Sequence, residues 1–531
     1  NYNSAAPRVK DWNAWETGSF FTQTLGWEGN FRDEHHIGLM VGQDYQEFYN
    51  DNFQAYKEGF YDNYHTDLNS ASGQVNAQAT GSSSREKLVS VFGRLSYDYK
   101  QRYLVSAVFR YDGSSRLAPD HRWAFFPSVS LAWRIDQENF MKDVKFIDQL
   151  KPRFSWGKMG NQAVSLYSYL STVNTSGYDY SFEGTKYGGA AVSALADNTI
   201  TWEKTTSYDA GIDFSAFGNR VILSADWFLK RTEGILRTVN LPSQVGDLSG
   251  PKSNVGVVDN KGVELSLALR DTWGDFSAGV SSNFSYTRNE IVDLDGETEI
   301  SGRLICKEGY PINSWYLLQS DGVFQTQAEI DQAQAVYGNR SNLRPGYVKY
   351  VNQNNDSTID GNDRVIAGNT IPKFTYGFNI NFGWKGIAIE AQFQGVGDVS
   401  VYPSSNMAFG LYNGAGLTKQ WVKDSWSATN RNTKYPLLTT YPEAGENFQN
   451  STLWLQDASY LRLKNIQLSY TFPKKLVGRI GIKGLQVYVS GQNLVTFSDF
   501  KIWDPEISIS QANLFSYPIL KTVSFGINLT L

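Results

Sequence analysis

Apolar residues occupy every second position along strand-length stretches from near residue 17 to the last residue, and the joining segments are short and long by turns. Side chains of a strand point alternately to its two faces, so each stretch builds a ribbon with one apolar and one polar face. In Thr522 to Leu531, Val523, Phe525, Ile527, Leu529 and Leu531 share one face, opposite Thr522, Ser524, Gly526, Asn528 and Thr530. Val129, Leu131, Trp133 and Ile135 likewise oppose Ser128, Ser130, Ala132 and Arg134. Phe374, Tyr376, Phe378, Ile380 and Phe382 oppose Thr375, Gly377, Asn379 and Asn381. A soluble sandwich would put many Lys and Glu on its polar face. Ser, Thr, Gly and Asn there, with an occasional Arg or Asp, suit a watery lumen behind a wall facing lipid. The pattern predicts an all-β fold: a transmembrane antiparallel β-barrel with long extracellular loops.

The totals agree. Mean hydropathy is -0.39, and no apolar run reaches the roughly 18 residues of a membrane helix, so any spanning is by strands. Aromatics make up 15% of the chain, and Tyr97, Tyr99, Tyr103, Trp133, Trp156, Trp384, Tyr470 and Phe472 fall near strand ends. Amphipathic rings at those positions form the interfacial girdles of an outer-membrane barrel. Cys306 is the single cysteine and has neither a disulfide partner nor metal-ligand spacing. The net charge of -5 is dispersed over both signs and gives no basic stripe for nucleic acid. The opening NYNSAAPRVK lacks the charged and apolar regions of an export signal, so such a signal is read as removed or lying upstream.

The two-residue period places strands near 17–30, 35–46, 88–99, 103–112, 126–136, 149–158, 205–216, 220–230, 262–270, 275–287, 373–384, 387–395, 461–472, 485–495 and 521–531. Short turns such as 31–34, 100–102, 217–219, 271–274 and 385–386 alternate with long loops at 47–87, 113–125, 159–204, 231–261, 288–372, 396–460 and 496–520. Segment 137–148 and the basic segment 473–484, expected to be helical, lie on the short-turn side. One rim then faces the periplasm and the other the outside. By this parity the C-terminus sits at the periplasmic rim and residues 1–16 belong to an outer loop. An odd count of about fifteen strands, where single-chain bacterial barrels are even, predicts the C-terminal part of a larger barrel. Segment 69–84, rich in Ser, Gly, Ala and Gln, reads as a mobile loop tip.

Within loop 288–372, the oxygen-bearing residues Asn352, Asn354, Asp356, Asp360 and Asp363 fall at positions 1, 3, 5, 9 and 12 of a twelve-residue loop. Position 7 is Thr358, expected to offer its carbonyl, and position 8 is the apolar Ile359. This is the spacing by which an EF-hand-like loop wraps a hard cation. Asn352 in place of Asp, Ser357 in place of Gly and Asp363 in place of Glu all weaken the match. The expectation is a weak structural Ca²⁺ that stiffens an outer loop, against an Asn/Asp-rich turn held by its own hydrogen bonds.

Catalytic patterns are lacking. His35 and His36 are neighbours in one strand and point to opposite faces, and no HExxH, GxSxG or Cys/His pairing occurs. GDLSGPK at 246–252 lacks the gap and ending of a phosphate loop. Asp98, Asp112, Asp209, Asp213, Glu264 and Glu390 sit regularly on the polar strand face and are read as lumen lining. Trp315, Tyr316, Tyr347, Tyr350, Tyr402, Phe409, Tyr412 and Trp421 in the outer loops would stack on sugar rings, pack the loops together or meet a partner.

Several stretches resemble the SusC-like (SusC/RagA-type) family of TonB-dependent outer-membrane transporters. They are RYDGSSRLAPDHRWAFFPSVSLAWRI at 110–135, LKPRFSWGKMGNQ at 150–162 and NTITWEKTTSYDAGIDFSAFGNRVILSADWF at 198–228. ASYLRLKNIQLSYTFPKKLVGRIGIKGLQVYVSGQNLVTFSDF at 458–500, followed by Asp504, Pro505 and Glu506, is similar to the family's C-terminal signature. The resemblance implies a plug domain inside a barrel of about 22 strands, of which residues 1–531 supply the C-terminal part without plug or TonB box. It also implies a SusD-like surface lipoprotein partner, the TonB complex acting through the missing N-terminal part, and import of bulky oligosaccharides or peptides across the bacterial outer membrane. The expected protein is not an enzyme. The alternative reading is a transporter-like barrel that serves as a structural scaffold in an envelope complex.

Overall fold

The computed structural model describes residues 7–531 apart from 63, 72–75, 176, 240, 243, 245–249, 338–341, 405–407, 415, 434, 441–444 and 507–516. The GDLSGPK segment therefore lies mostly outside the described residues. Fifteen strands join one antiparallel sheet in chain order. They are Arg8–Phe31, His35–Glu58, Gln78–Tyr99, Tyr103–Ser114, Trp123–Trp133, Ile147–Asn161, Glu203–Ala216, Val221–Glu233, Val257–Trp273, Phe276–Asp293, Phe374–Trp384, Ile387–Gly397, Tyr460–Thr471, Gly484–Ser498 and Thr522–Thr530. The sheet is a transmembrane β-barrel wall, and every strand read from the alternation is in it. Large apolar side chains such as Leu25, Leu39, Val91, Leu131, Leu265, Val280, Leu468 and Phe525 stand exposed on it, as a lipid-facing surface requires.

Three strands run nine or more residues at one end beyond what the alternation indicates. The first hairpin pairs without interruption from Arg8 opposite Glu58 to Phe31 opposite His35, and Gln78–Tyr99 continues the ladder. Residues 8–16 are thus strand rather than outer loop, loop 47–87 shrinks to 59–77, and 78–84 of the expected loop tip is strand. Residues 1–6 and 72–75 lie outside the described set. The physical reason is that the backbone ladder needs no apolar row. Once a hairpin leaves the lipid both faces meet water, and polar pairs such as Asn52–Ser82 at 2.8 Å and Gln54–Thr80 at 2.9 Å suffice.

The chain divides into two compact units, Asn1–Gln137 with Arg153–Asp209 and Lys230–Val257, and Glu138–Pro152 with Ala210–Leu229 and Val258–Leu531. Within the first, Leu117, Ala124, Phe126, Val164, Ile200 and Trp202 form an apolar core beneath the loops. Trp202 donates its indole N–H to the Arg122 carbonyl at 2.7 Å. In the second, the long loops carry their own structure: a small sheet of Glu299–Ser301, Leu304–Cys306, Ser314–Leu318 and Arg364–Gly368, and helices Gln327–Tyr337 and Lys419–Asp424. Segment 473–484 holds the expected helical turns at Lys474–Val477 and Gly478–Ile480.

Opposite Ile387–Gly397, the strand Tyr460–Thr471 carries one extra residue, Lys464. The apolar phase accordingly moves from Leu461 and Leu463 to Ile466 and Leu468, which is the sequence signature of a β-bulge. Gly395 in the neighbouring strand answers another constraint. Tyr376, directly across from it, crosses it to donate to the Tyr460 carbonyl at 3.1 Å. A methyl group at Gly395 would come within 2.4 Å of that carbonyl and 2.5 Å of the tyrosine ring. Replacing Gly395 with Ala should destabilise the wall by about 1–3 kcal/mol through overpacking, read as a lower temperature for the heat-dependent mobility shift of the folded barrel. An unchanged transition would refute this packing account.

Candidate functional site

The polar strand faces are the chemically equipped surface. In the first unit the register sets Thr22 opposite Asp44, Asp44 opposite Ser90, and Ser90 opposite Asp112, one cross-strand row on a single face. Thr22 Oγ1 and Gln46 Nε2 each donate to Asp44 at 2.6 Å. Arg110 and Asp112, two apart and therefore on the same face, pair at 3.1 Å. This pair borders an open basin of about 670 Å³ where Ser106, Ser128, Ser130, Ser155 and Ser207 stand with the charged Lys158 and the apolar Phe126 and Met159. Its hydroxyls both donate and accept hydrogen bonds and stand beside charged and apolar side chains, so it suits a polar ligand that also carries apolar surface.

The carboxylates read as lumen lining fit that role where their contacts are defined. Asp209 pairs with Arg153 at 3.3 Å, and Asp213 with Lys151 at 3.4 Å. His35 and His36 part as expected, His35 toward the Tyr97 hydroxyl at 2.8 Å and His36 toward Asn30 Oδ1 at 2.6 Å. Cys306 is buried, with its thiol 3.3 Å from Asn313 Oδ1.

Most of the outer-loop aromatics pack the loops rather than face a ligand. Trp315, Tyr402, Phe409 and Trp421 belong to one buried cluster, and Tyr347 and Tyr350 to another. Tyr402 is stacked beneath the Arg303 guanidinium at 4.5 Å, and burial pushes its phenol up to about 12. Tyr316 and Tyr412 remain half-buried. Nothing in a single sequence separates a loop core from a sugar-stacking surface, since both use the same rings.

The residues at 352–363 do converge on one turn. Buried Asp363 accepts the Gln353 and Asp360 N–H groups at 2.8 Å each, and Asp360 accepts from Asn362 N–H at 2.7 Å. Asp356 accepts the Thr358 N–H at 2.8 Å and the Asn354 amide at 2.7 Å. These bonds hold its carboxyl below the ordinary value of 3.8. Asn354 Oδ1 accepts from Asp356 N–H at 3.0 Å, and Asn352 donates to the Asp356 carbonyl at 2.7 Å. Ile359 anchors the turn in the adjoining apolar core. Asn352 Oδ1 is enclosed without a hydrogen-bond partner. Among the described residues no three His, Cys, Asp or Glu side chains converge as a metal cluster, so a cation here would draw on amide and main-chain oxygens as well.

The bulge at Lys464 organises a second charged centre. Arg462, with 4% of its side chain exposed, pairs with Asp504 at 2.8 Å and Glu506 at 3.3 Å, and Lys464 reaches Glu506 at 2.5 Å. Arg462 Nε also donates to Thr496 at 2.8 Å. These are the Asp and Glu of the C-terminal signature, now seen clamping the segment after Gly484–Ser498 onto the wall.

With this geometry in place, the comparisons are decisive on family. The model of the family described as "TonB dependent receptor-like, beta-barrel" matches residues 1–494. The chain belongs to that family. It is 32% identical over 521 residues to TonB-dependent receptor P3 of Formosa agariphila, covering 93% of this chain and 50% of the relative. It is 29% identical over 515 residues to TonB-dependent receptor SusC of Bacteroides thetaiotaomicron, covering 92% and 48%. The fold superimposes on the structure of the RagAB peptide transporter with a TM-score of 0.82 at 24% identity, covering 98% of this chain and 56% of that one. The receptor barrel is therefore of the SusC/RagA type and belongs to the outer membrane. The chain spans about half the length of the curated relatives it matches.

Removing Arg462 from this barrel leaves Asp504 without its cation and Glu506 with Lys464 alone, a loss of about 3–5 kcal/mol for a buried pair. Arg462→Ala should expose 499–506 to hydrogen exchange while Arg462→Lys largely restores protection; equal protection in all three proteins would show that the clamp is idle.

Proposed function

We propose that the protein works as an importer, driven by TonB, that carries bulky oligosaccharides or peptides across the outer membrane beneath a SusD-like surface lipoprotein. The observation that carries this reading is the hydroxyl-lined polar face of a SusC/RagA-type wall, with its basin beside Arg110 and Asp112. A molecule too large for a passive pore needs a wide, stoppered lumen. A wall offering many weak, neutral hydrogen bonds holds such a molecule without trapping it. The named relatives support the same direction, since one is SusC and a structural neighbour is described as a peptide transporter. The test is growth on single glycans and on peptide mixtures as sole nutrient. Loss of the full-length protein should abolish growth on one such class and spare growth on its monomers, and loss of TonB should have the same effect. Normal growth on every polymer tested, or a full-length protein that purifies without any surface lipoprotein, would overturn the reading.

A structural Ca²⁺ on the loop 352–363 is the second part of this proposal, with Asn352, Asn354, Asp356, Asp360 and Asp363 supplying side-chain oxygens and Thr358 its carbonyl. One feature supports it: Asn352 Oδ1 is enclosed without a partner. Chelation of Ca²⁺ should speed proteolytic cleavage within 352–363, and added Ca²⁺ should reverse the effect. Cleavage at the same rate with and without chelator would leave a turn held by its own hydrogen bonds.

A further inference from the structure

A groove of about 430 Å³ opens on the apolar face of the second unit, beside the short turns that follow Glu203–Ala216 and Val257–Trp273. Phe217, Val221, Leu269, Trp273, Ala278 and Val280 line it. Its floor is low because Ala278 is small. Its flank is an aromatic shelf in which Trp273 stacks on Phe276 at 5.8 Å and Phe276 on Phe382 at 6.3 Å. The short turns lie at the periplasmic rim, so the groove sits at the depth of the inner leaflet.

Its mouth is charged. Arg220 Nε lies 3.2 Å from Asp271 Oδ1, with 59% and 22% of the two side chains exposed. The neighbouring Arg270 also lines the groove, with its Nε donating to the Asn219 carbonyl at 3.1 Å. A solvent-exposed ion pair contributes little to stability on its own. Here it places one cation and one anion side by side over an apolar trough. The Arg220 fork retains N–H groups that match phosphate geometry, and Asp271 retains an oxygen for an ammonium group.

We propose that this groove binds one glycerophospholipid of the inner leaflet with a zwitterionic phosphoethanolamine headgroup. Its acyl chain lies over Ala278, its phosphate on Arg220 and its ammonium on Asp271. Charge complementarity selects this occupant: a phosphoglycerol headgroup satisfies Arg220 equally well but offers Asp271 no cation, whereas the ammonium of phosphoethanolamine pairs with it. The inference depends on the membrane placement of the wall and not on what the protein imports.

The test is native mass spectrometry of the full-length protein in detergent, stripped of carried lipid and offered equal amounts of phosphatidylethanolamine and phosphatidylglycerol. The phosphatidylethanolamine adduct should exceed the other about fivefold, the scale of one exposed ion pair. Asp271→Asn should erase the preference, Arg220→Gln should lower both adducts, and Ala278→Phe, which fills the trough, should lower both while leaving the charges in place. Heat-dependent mobility identifies the folded variants, and should Arg220→Gln not fold, the other two decide. Equal retention of both lipids by the natural chain, or undiminished adducts in Ala278→Phe, would overturn the proposal.

Discussion

The structure depends on one requirement: inside lipid no backbone N–H or C=O can be left without a partner, because no water is present to satisfy it. An antiparallel ladder meets that requirement between strands instead of within a helix. The first hairpin does so over 24 residues of each strand without a slip, and the ladder continues through neighbours in chain order. With the backbone satisfied, side chains are free to face either solvent. Leu25, Leu131, Val280 and Phe525 can stand exposed because their surroundings are hydrocarbon, whereas in water so large an apolar surface would drive aggregation.

The same ladder sorts chemistry by face. Alternation brings Thr22, Asp44, Ser90 and Asp112 into one row and sets Arg110 beside Asp112. Most interactions on that face are local pairs of modest strength. At Lys464 one extra residue bulges the strand, and Arg462 and Lys464 both reach Glu506. The loops solve a different problem. They meet water and cannot rely on lipid, so they bury their own aromatics, with Trp454 in contact with Phe409 and Trp421.

Where lipid imposes a period of two, the sequence is legible: Val523 to Leu531 reads as a strand and Thr522–Thr530 is one. Where water meets both faces, the signal fades although the ladder does not, which is why residues 8–16 and 78–84 escape a pattern reading. The shift of phase from Leu463 to Ile466 was readable as a bulge, but its meaning, a re-aimed cation, needed the carboxylates of Asp504 and Glu506 to be located. For the loop 352–363, spacing alone singled out a run of Asn and Asp residues that share one turn. Their hydrogen bonds, with Asp363 buried and both its oxygens accepting from the backbone, come only from the folded turn.

The sequence by itself determined the strand number, the two unlike faces and the alternation of short turns with long loops, because each follows from a local period imposed by the solvent on either side. Tertiary structure alone decided which loop aromatics are core, how far the hairpins rise above the membrane, and which charges meet. Those outcomes depend on contacts between residues distant in the chain, such as Arg303 over Tyr402 and Arg462 against Asp504, and no local pattern encodes such distances.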